Sequence, residues 1–460
     1  MIKRLFAWLD DRSGLITATR RALEHPVPRR TGWWYVFGSA TLIAFILQVA
    51  TGIALATVYV PSSGQAYESL RFISEQALLG RFLRGMHYFG ASAMVLLIGI
   101  HVSRTYLMAA YKFPRELNWL TGAVLLLLTL ALAFTGQLLR WDQTAVWSVI
   151  VGAAQAGRMP VVGDEMARFL LAGDTIGGAT LSRFFAFHVF FIPAIVFAFI
   201  GLHLVLVLRH GISERPKAGD PVDPATYRER YDELLRRDGV PFWPDAAWRD
   251  VVFGAAVVAT VALLAIIIGP PDLGPPPDPS LLEAYPKPDW YFLWYFAVLA
   301  MAPQHLESII IIAGPLVFGA LLLLVPMFNT GERSVRRRPF AALLVVFIWT
   351  MIGVFWVAGE RATWSPDFAA SPLPAQIVGS NDPAVMDGAR LFHDKGCEFC
   401  HAISTYGGKR GPDLTEVAAR MSPEQITARI TNGGPNMPAY ARVLTPDETS
   451  AIVTFLSRRR

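Results

Sequence analysis

The sequence is poor in cysteine and in charge. Of its 460 residues two are cysteine, Cys397 and Cys400, and 17% are charged. Two cysteines allow one disulfide at most, and they exclude a four-cysteine or Cys/His iron–sulfur site within the chain. The shortage of charge, with 53% hydrophobic residues and a mean hydropathy of +0.40, excludes an ordinary soluble protein of this size. No cleavable leader is evident: residues 1–30 are amphipathic and basic, as expected of a helix lying on a membrane surface. The net charge of +5 is small, so its placement says more than its total.

Long apolar runs take the place of charge. Seven are close to the length of about 20 residues that crosses a bilayer core as a helix: 34–58, 86–110, 117–139, 185–208, 250–269, 308–327 and 340–358. Basic residues cluster before the first run (Lys3, Arg4, Arg12, Arg20, Arg21, Arg29, Arg30), after the second (Lys112, Arg115), after the fourth (residues 209–237) and after the sixth (Arg333, Arg336, Arg337, Arg338). Seven crossings put all four clusters on one side. The positive-inside rule then makes the N-terminus cytoplasmic and the C-terminus external, in a bacterial-type inner membrane. The expected surroundings are membrane lipid, with no nucleic-acid partner. The last hundred residues are polar and rich in Gly and Pro, and read as a separate domain after a Pro/Ser/Ala-rich linker at 359–383.

Both cysteines lie in that domain, in "GCEFCH". Cys-x-x-Cys followed by His is the attachment pattern of c-type haem: Cys397 and Cys400 add to the vinyl groups and His401 is placed to ligate the iron. The order "GARLFHDKGCEFCHAI", "GKRGPDLT", "NGGPNMPAY" resembles a small class I cytochrome c domain, and that resemblance implies Met437 as the second axial ligand. His393 reads as a surface residue. Haem attachment takes place on the outer face of a membrane, where the charge pattern independently places this domain.

Four histidines stand inside the apolar runs. His87 and His101 are 14 residues apart, and His188 and His203 are 15 apart. Four helical turns take about 14.4 residues, so each pair shares one face, about 21 Å apart along the axis. The second and fourth runs point the same way, which matches His87 with His188 near the outer face and His101 with His203 near the inner. Each cross-helix pair can clamp one iron, giving two non-covalent b-type haems stacked in a four-helix bundle. A single intramembrane histidine fits a proton relay or an interhelical hydrogen bond equally well; two matched pairs do not. Gly38 and Gly52 in the first run, and Gly122 and Gly136 in the third, repeat the 14-residue period and leave room for a flat ring. By direction, Gly38 and Gly122 fall at the inner level and the other two at the outer. Arg84 and Arg183 lie just outside the outer pair and Arg104 beside His101; they suit haem propionates, and equally suit interfacial anchoring.

"ILQVATGIALA", "YKFPRELNWLTG", "RWDQTAVWSV", "GDTIGGATLSRFFAFH" and "KPDWYFLWYF" together resemble cytochrome b of the quinol–cytochrome c reductase (bc1/b6f) family over nearly all of residues 30–360. The 15-residue second spacing and the seven runs are most similar to the cytochrome b6 plus subunit IV arrangement. The fold implied is all-α: a seven-helix transmembrane protein, with a four-helix dihaem bundle plus three helices, and a small α-helical cytochrome c domain at the C-terminus. Its expected divisions are an amphipathic segment (1–33), the dihaem bundle (34–215), a cytoplasmic link (216–249), a subunit IV-like region (250–358), the linker, and the haem domain (384–460). Three departures stand out. Val36 occupies the position of the cysteine that binds an additional haem in the b6 branch, "LLRWDQ" has Arg140 where the family usually has proline, and "PDWY" replaces the commoner "PEWY".

The resemblance implies a proton-translocating quinol:cytochrome c oxidoreductase. Quinol would be oxidised near the outer face, between "RWDQTAVW" and "KPDWY", with Asp289 accepting a proton and Tyr291 beside it. One electron would pass to a separate Rieske iron–sulfur protein and the other through the b haems to an inner quinone. The fused c haem would serve cytochrome c or a similar acceptor, and a homodimer is the family's expectation. A dihaem membrane anchor of a dehydrogenase or hydrogenase is the alternative, but it gives no reason for "PDWY", "RWDQ" or three further helices.

Overall fold

The computed structural model describes residues 2–173, 176–277, 287–328, 331–361, 371–408, 411–433, 437, 439–441 and 443–459. Seven helices are long and apolar enough to cross a membrane: Phe37–Ala56, Gly80–Leu107, Glu116–Leu138, Gly178–His210, Phe242–Ile267, His305–Met327 and Pro339–Arg361. Each overlaps one of the seven apolar runs. Strand among the described residues is confined to two short antiparallel pairs, so the protein is all-α as expected.

These helices carry hydroxyls without cost because each hydroxyl is satisfied locally. Thr41, Thr51, Ser103, Thr105, Thr121, Thr129 and Thr135 all donate to the carbonyl four residues earlier, at 2.7–2.9 Å. The first span packs along the second and the third along the fourth. Ala40, Ala44, Phe45, Met94, Leu97, Ile192 and Val196 form the core that joins spans one, two and four. The fifth span closes on the first two, where Gly85 meets Ala265. The seventh lies beside the second, with Trp349 donating to Ser103 Oγ at 3.0 Å.

The fourth span is not a uniform α-helix. Phe187–Phe191 is a π turn, one residue wider than an α turn. Pro193 follows it and explains it, since it has no N–H to offer the Val189 carbonyl and its ring crowds that carbonyl. Fifteen α-helical residues would overshoot four turns by about 60°. The extra residue in the π turn takes up that excess, so His188 and His203 share a face just as His87 and His101 do.

All four basic segments gather at one end of the bundle. Pro26–Pro28 pairs with Gly239–Pro241, Val27 opposite Val240. Arg115 donates to the carbonyls of His210 and Gly211 at 2.9 Å and to the Tyr227 hydroxyl at 2.7 Å. Tyr227 in turn donates to Glu214 at 2.8 Å, Glu214 pairs with Arg333, and Lys112 donates to the Glu332 carbonyl. A buried polar network therefore ties the connections after spans two, four and six together. At the other end lie helices that the apolar runs did not foretell: Ala66–Glu75, Gln143–Ala156, Gly163–Leu171 and the short apolar Trp290–Met301.

The C-terminal region has its own core of Val385, Phe392, Ile403, Ile426, Ile452 and Phe455. Pro383–Asp394 crosses Pro446–Leu456 where Gly388 lies against Ala451, and Phe392 packs on Phe455 with centroids 5.7 Å apart and planes tilted by 57°. Asp382, Ser422 and Thr445 cap its three main helices. Leu373, Ile377 and Val378, from the end of the expected linker, pack on this core. Residues 362–370 of that linker, Asp174 and Thr175 in "GDTIGG", and residues 278–280 of the Pro-rich segment lie outside the described residues.

Candidate haem and quinol sites

His87 and His188 face each other inside the bundle, with ring centroids 6.2 Å apart and planes at 78°. A metal–imidazole bond is about 2.0–2.1 Å, so two rings on opposite sides of one ion put their facing nitrogens roughly 4 Å apart. The observed separation accommodates that.

Which nitrogen of each ring is free follows from the threonines. The single proton of Thr51 Oγ1 goes to the Leu47 carbonyl at 2.7 Å. Its oxygen, 2.9 Å from His87 Nδ1, must therefore accept, which puts the ring proton on Nδ1 and leaves the Nε2 lone pair open. Thr135 does the same for His188 at 3.2 Å and Thr121 for His203 at 2.9 Å. Partners of this kind fix a metal ligand's tautomer and orientation. Sequence reasoning missed the three threonines, although the signal was present: each immediately precedes a spaced glycine, as Thr51-Gly52, Thr121-Gly122 and Thr135-Gly136.

The glycines stand where expected. A Cβ on Gly136 would come within 2.6 Å of His188, on Gly38 3.0 Å from His101, on Gly52 3.2 Å from His87 and on Gly122 3.5 Å from His203. At the second level His203 lies within electrostatic reach of His101. Phe37 precedes Gly38 and has no hydroxyl to offer. Arg104 is buried there with its guanidinium 3.9 Å from the Tyr35 ring centre, and its Nε and one terminal nitrogen lack acceptors. An unsatisfied buried cation beside paired imidazoles, in a glycine-walled space, fits an anionic flat macrocycle such as haem. Arg84 is already engaged with Ser74 Oγ and the Pro271 carbonyl, and Arg183 with the Phe169 carbonyl and ring.

Asp289 begins the Trp290–Met301 helix, but its side chain does not cap it. Its carboxylate accepts instead from the Tyr291 hydroxyl at 2.8 Å, and its backbone N–H reaches Gln137 Oε1 at 3.4 Å. The "RWDQ" turn forms the facing wall. There buried Asp142 caps the Gln143–Ala156 helix through Ala145 N and accepts from Gly274 N at 3.2 Å. Tyr67 donates to the Gly274 carbonyl and Gln143 N to Pro275, so the described part of the Pro-rich segment is clamped to this wall.

In the C-terminal region His401 Nδ1 bonds the Pro412 carbonyl at 2.8 Å, leaving Nε2 free, and a Cβ on Gly411 would lie 2.5 Å from the ring. Burial lowers the imidazole's proton affinity and pushes the Cys397 thiol up to about 12. Met437 packs against the core as a half-buried residue. His393, expected at the surface, is half-buried and bonds the fully buried Glu398 at 2.8 Å. These donors fit a covalent haem with histidine and thioether ligands.

Comparison with known proteins agrees with this geometry. Residues 22–211 match the family profile described as cytochrome b/b6/petB, residues 282–371 that of cytochrome b(C-terminal)/b6/petD, and residues 383–456 that of cytochrome C oxidase, cbb3-type, subunit III. The chain is 36% identical over 222 residues to the menaquinol:cytochrome c reductase cytochrome b subunit of Bacillus subtilis, covering 46% of this chain and 99% of that one. It is 31% identical over 353 residues to cytochrome b of Rhodospirillum rubrum, covering 75% and 82%. Among solved structures, a chain of a hyperthermophilic respiratory Complex III superposes with a TM-score of 0.66 at 25% identity, over 77% of this chain and 91% of that chain.

Proposed function

This chain belongs to the cytochrome b family and carries a cytochrome c domain, and from that premise we propose that it is the cytochrome b/c subunit of a proton-translocating quinol:cytochrome c oxidoreductase. Quinol is oxidised in the cleft between residues 137–142 and 287–291, on the outer side. One electron goes to a Rieske-type iron–sulfur partner and the other to an inner quinone. His87 with His188 and His101 with His203 hold two b haems, with Arg104 on a propionate, while Cys397, Cys400, His401 and Met437 hold the c haem. Bound there, these groups supply a one-electron path across the membrane and an exit toward a cytochrome c-type acceptor.

The observation that carries the reading is the pairing of imidazoles, three of whose four Nε2 atoms are kept free by threonines on the neighbouring helices. The chain's own work at the quinol site is proton handling. The Asp289 carboxylate, held by the Tyr291 hydroxyl and not spent on its helix, is free to accept the proton of a quinol hydroxyl. The clamped 270–277 segment and the Asp142-capped helix keep that wall rigid. Val36, at the N-terminal edge of the first span, leaves no thiol there for an additional covalent haem.

Quinol:cytochrome c reduction by the purified complex tests the activity, and a pyridine haemochrome spectrum tests the sites. Two b haems per covalent c haem, with inhibitor-sensitive turnover, are expected. One b haem, a second covalent haem, or quinone chemistry without electron splitting would sink the proposal, the last in favour of a dihaem anchor.

A further inference from the structure

The turn at 137–142 departs from the cytochrome b pattern at Arg140, where proline is usual. Proline would bring neither donor nor charge; this chain places a guanidinium in the wall of the cleft, with its side chain only 21% exposed. The titratable and charged groups around it come from three elements. Asp142 lies on its own turn, Arg84 and Tyr88 on the second span, and Tyr291 on the opposite wall. Tyr88 and Tyr291 each sense both Arg140 and Asp289, so the cation and the carboxylate flank the same pair of phenols.

Within the turn the cation pairs with Asp142, but its Nε–H is left without a hydrogen bond. Asp142 spends one oxygen on Ala145 N at 2.9 Å and the other on Gly274 N at 3.2 Å. That second oxygen is 3.6 Å from Arg140 Nε, an ion pair beyond hydrogen-bond reach, and Nε is buried with no acceptor among the described residues. Buried N–H groups without partners are rare and call for an explanation. Here the missing acceptor would come from a ligand oxygen in the cleft.

We propose that Arg140 is a quinol-binding residue: its buried N–H donates to the quinol oxygen beside Asp289, and its charge stabilises the anion left when that hydroxyl loses its proton. The inference rests on the assignment of quinol oxidation to this cleft. In the step, the quinol O–H bond breaks, the proton passes to an Asp289 carboxylate oxygen, and the electron leaves for the iron–sulfur partner. Arg140 keeps all its protons, since a guanidinium does not deprotonate in a protein. A nearby cation favours the ionised form of the quinol, so the enzyme retains activity to lower pH than it would with a neutral side chain.

The test uses the assembled complex with R140Q, R140K and R140P, reading kcat/KM for quinol against pH and the midpoint potentials of both b haems by redox titration. R140Q is expected to lower kcat/KM at least tenfold and to move the acid limb of its pH profile upward. It should also shift the potential of the haem at His87/His188 negative while leaving the other in place. R140K, which keeps the charge, should restore the acid limb and the potential but only part of kcat/KM, because lysine lacks the planar fork. An unchanged acid limb and unchanged potentials in R140Q, or a fully active R140P, would overturn the proposal. A wild-type complex that oxidises no quinol would overturn the underlying functional reading instead; the redox titration needs no turnover and separates the two failures.

Discussion

Gly136 gives the sharpest test of the two-centre geometry. A methyl group there would sit 2.6 Å from His188 Cε1, whereas ordinary contact begins at 3.4 Å, so the imidazole must retreat by about 0.8 Å. Metal–ligand distances tolerate about 0.2 Å. The ring cannot move four times that far and stay coordinated, and its Nδ1 is tied to Thr135 on the same helix as the intruding methyl. Helix propensity acts in the opposite direction, since Gly→Ala in a helix interior is worth about 1 kcal/mol of stabilisation. Overpacking costs about 1–3 kcal/mol, so the helix survives and the ligand geometry does not. We expect G136A to fold, to insert, and to lose the protohaem at His87/His188, lowering the b-to-c ratio in a haemochrome spectrum from two to one. The four positions should rank by clearance: G136A worst, then G38A at 3.0 Å, G52A at 3.2 Å, and G122A at 3.5 Å tolerated. A G136A complex with both b haems at unaltered potentials, or a G122A complex that loses one, would refute the reasoning.

Three further outcomes follow from the same structure. D289N should cut quinol oxidation by about 10²–10⁴-fold with haem content unchanged, while Y291F, which removes one hydrogen bond to that carboxylate, should cost roughly tenfold; steady-state assays and spectra of the same preparations decide it. M437H should keep the covalent haem but lower its midpoint potential, because a thioether paired with histidine raises it; an unchanged potential would show that Met437 is packing alone. R333M should destabilise the complex by about 3–5 kcal/mol at neutral pH by stranding Glu214. Burial alone would raise that carboxyl, but Arg333, the Tyr227 hydroxyl and Arg115 together hold it below the usual glutamate range. A carboxyl lowered on folding contributes stability above its unfolded value of about 4.3 and loses it as pH falls further. The wild-type advantage in thermal unfolding should therefore hold from pH 7 down to about pH 5 and shrink as pH falls below about 4, and a gap that stays constant to about pH 3 would contradict the pairing.

The sequence was most informative where one periodicity had one cause. Apolar length located all seven spans, and the 14-residue repeat located His87, His101 and the four glycines, because a straight α-helix converts spacing directly into facing. The 15-residue interval was legible as a pair but not as a mechanism. Pro193 was visible, yet that it would widen the helix at Phe187–Phe191 instead of kinking or ending it depends on the packing of neighbouring spans. The short helices Gln143–Ala156, Gly163–Leu171 and Trp290–Met301 escaped for a different reason. They are shorter than a bilayer crossing, and two follow connections whose caps and turns, such as Asp142 and the N-terminal turn at Asp289, become meaningful only when their partners Gly274 and Tyr291 are in place. The buried network of Arg115, Tyr227, Glu214 and Arg333 was read from sequence as charge placement alone, because its members are separated by up to 218 residues.

The threonines add something the histidine spacing could not: the two levels of the bundle are not equivalent. At the level of His87 and His188 both imidazoles hand their Nδ1 proton to a threonine, which makes each Nε2 a more basic donor. At the other level, among the described residues, His203 does so through Thr121, whereas Phe37, the residue before Gly38, has no hydroxyl to offer His101. Weaker donation by one ligand favours the reduced iron at that level. On the proposed assignment, then, the His101/His203 centre has the higher potential, and the bias for electrons to run from the quinol-oxidising end to the opposite end is set by side chains on the first and third spans, which supply none of the four proposed haem-ligand histidines.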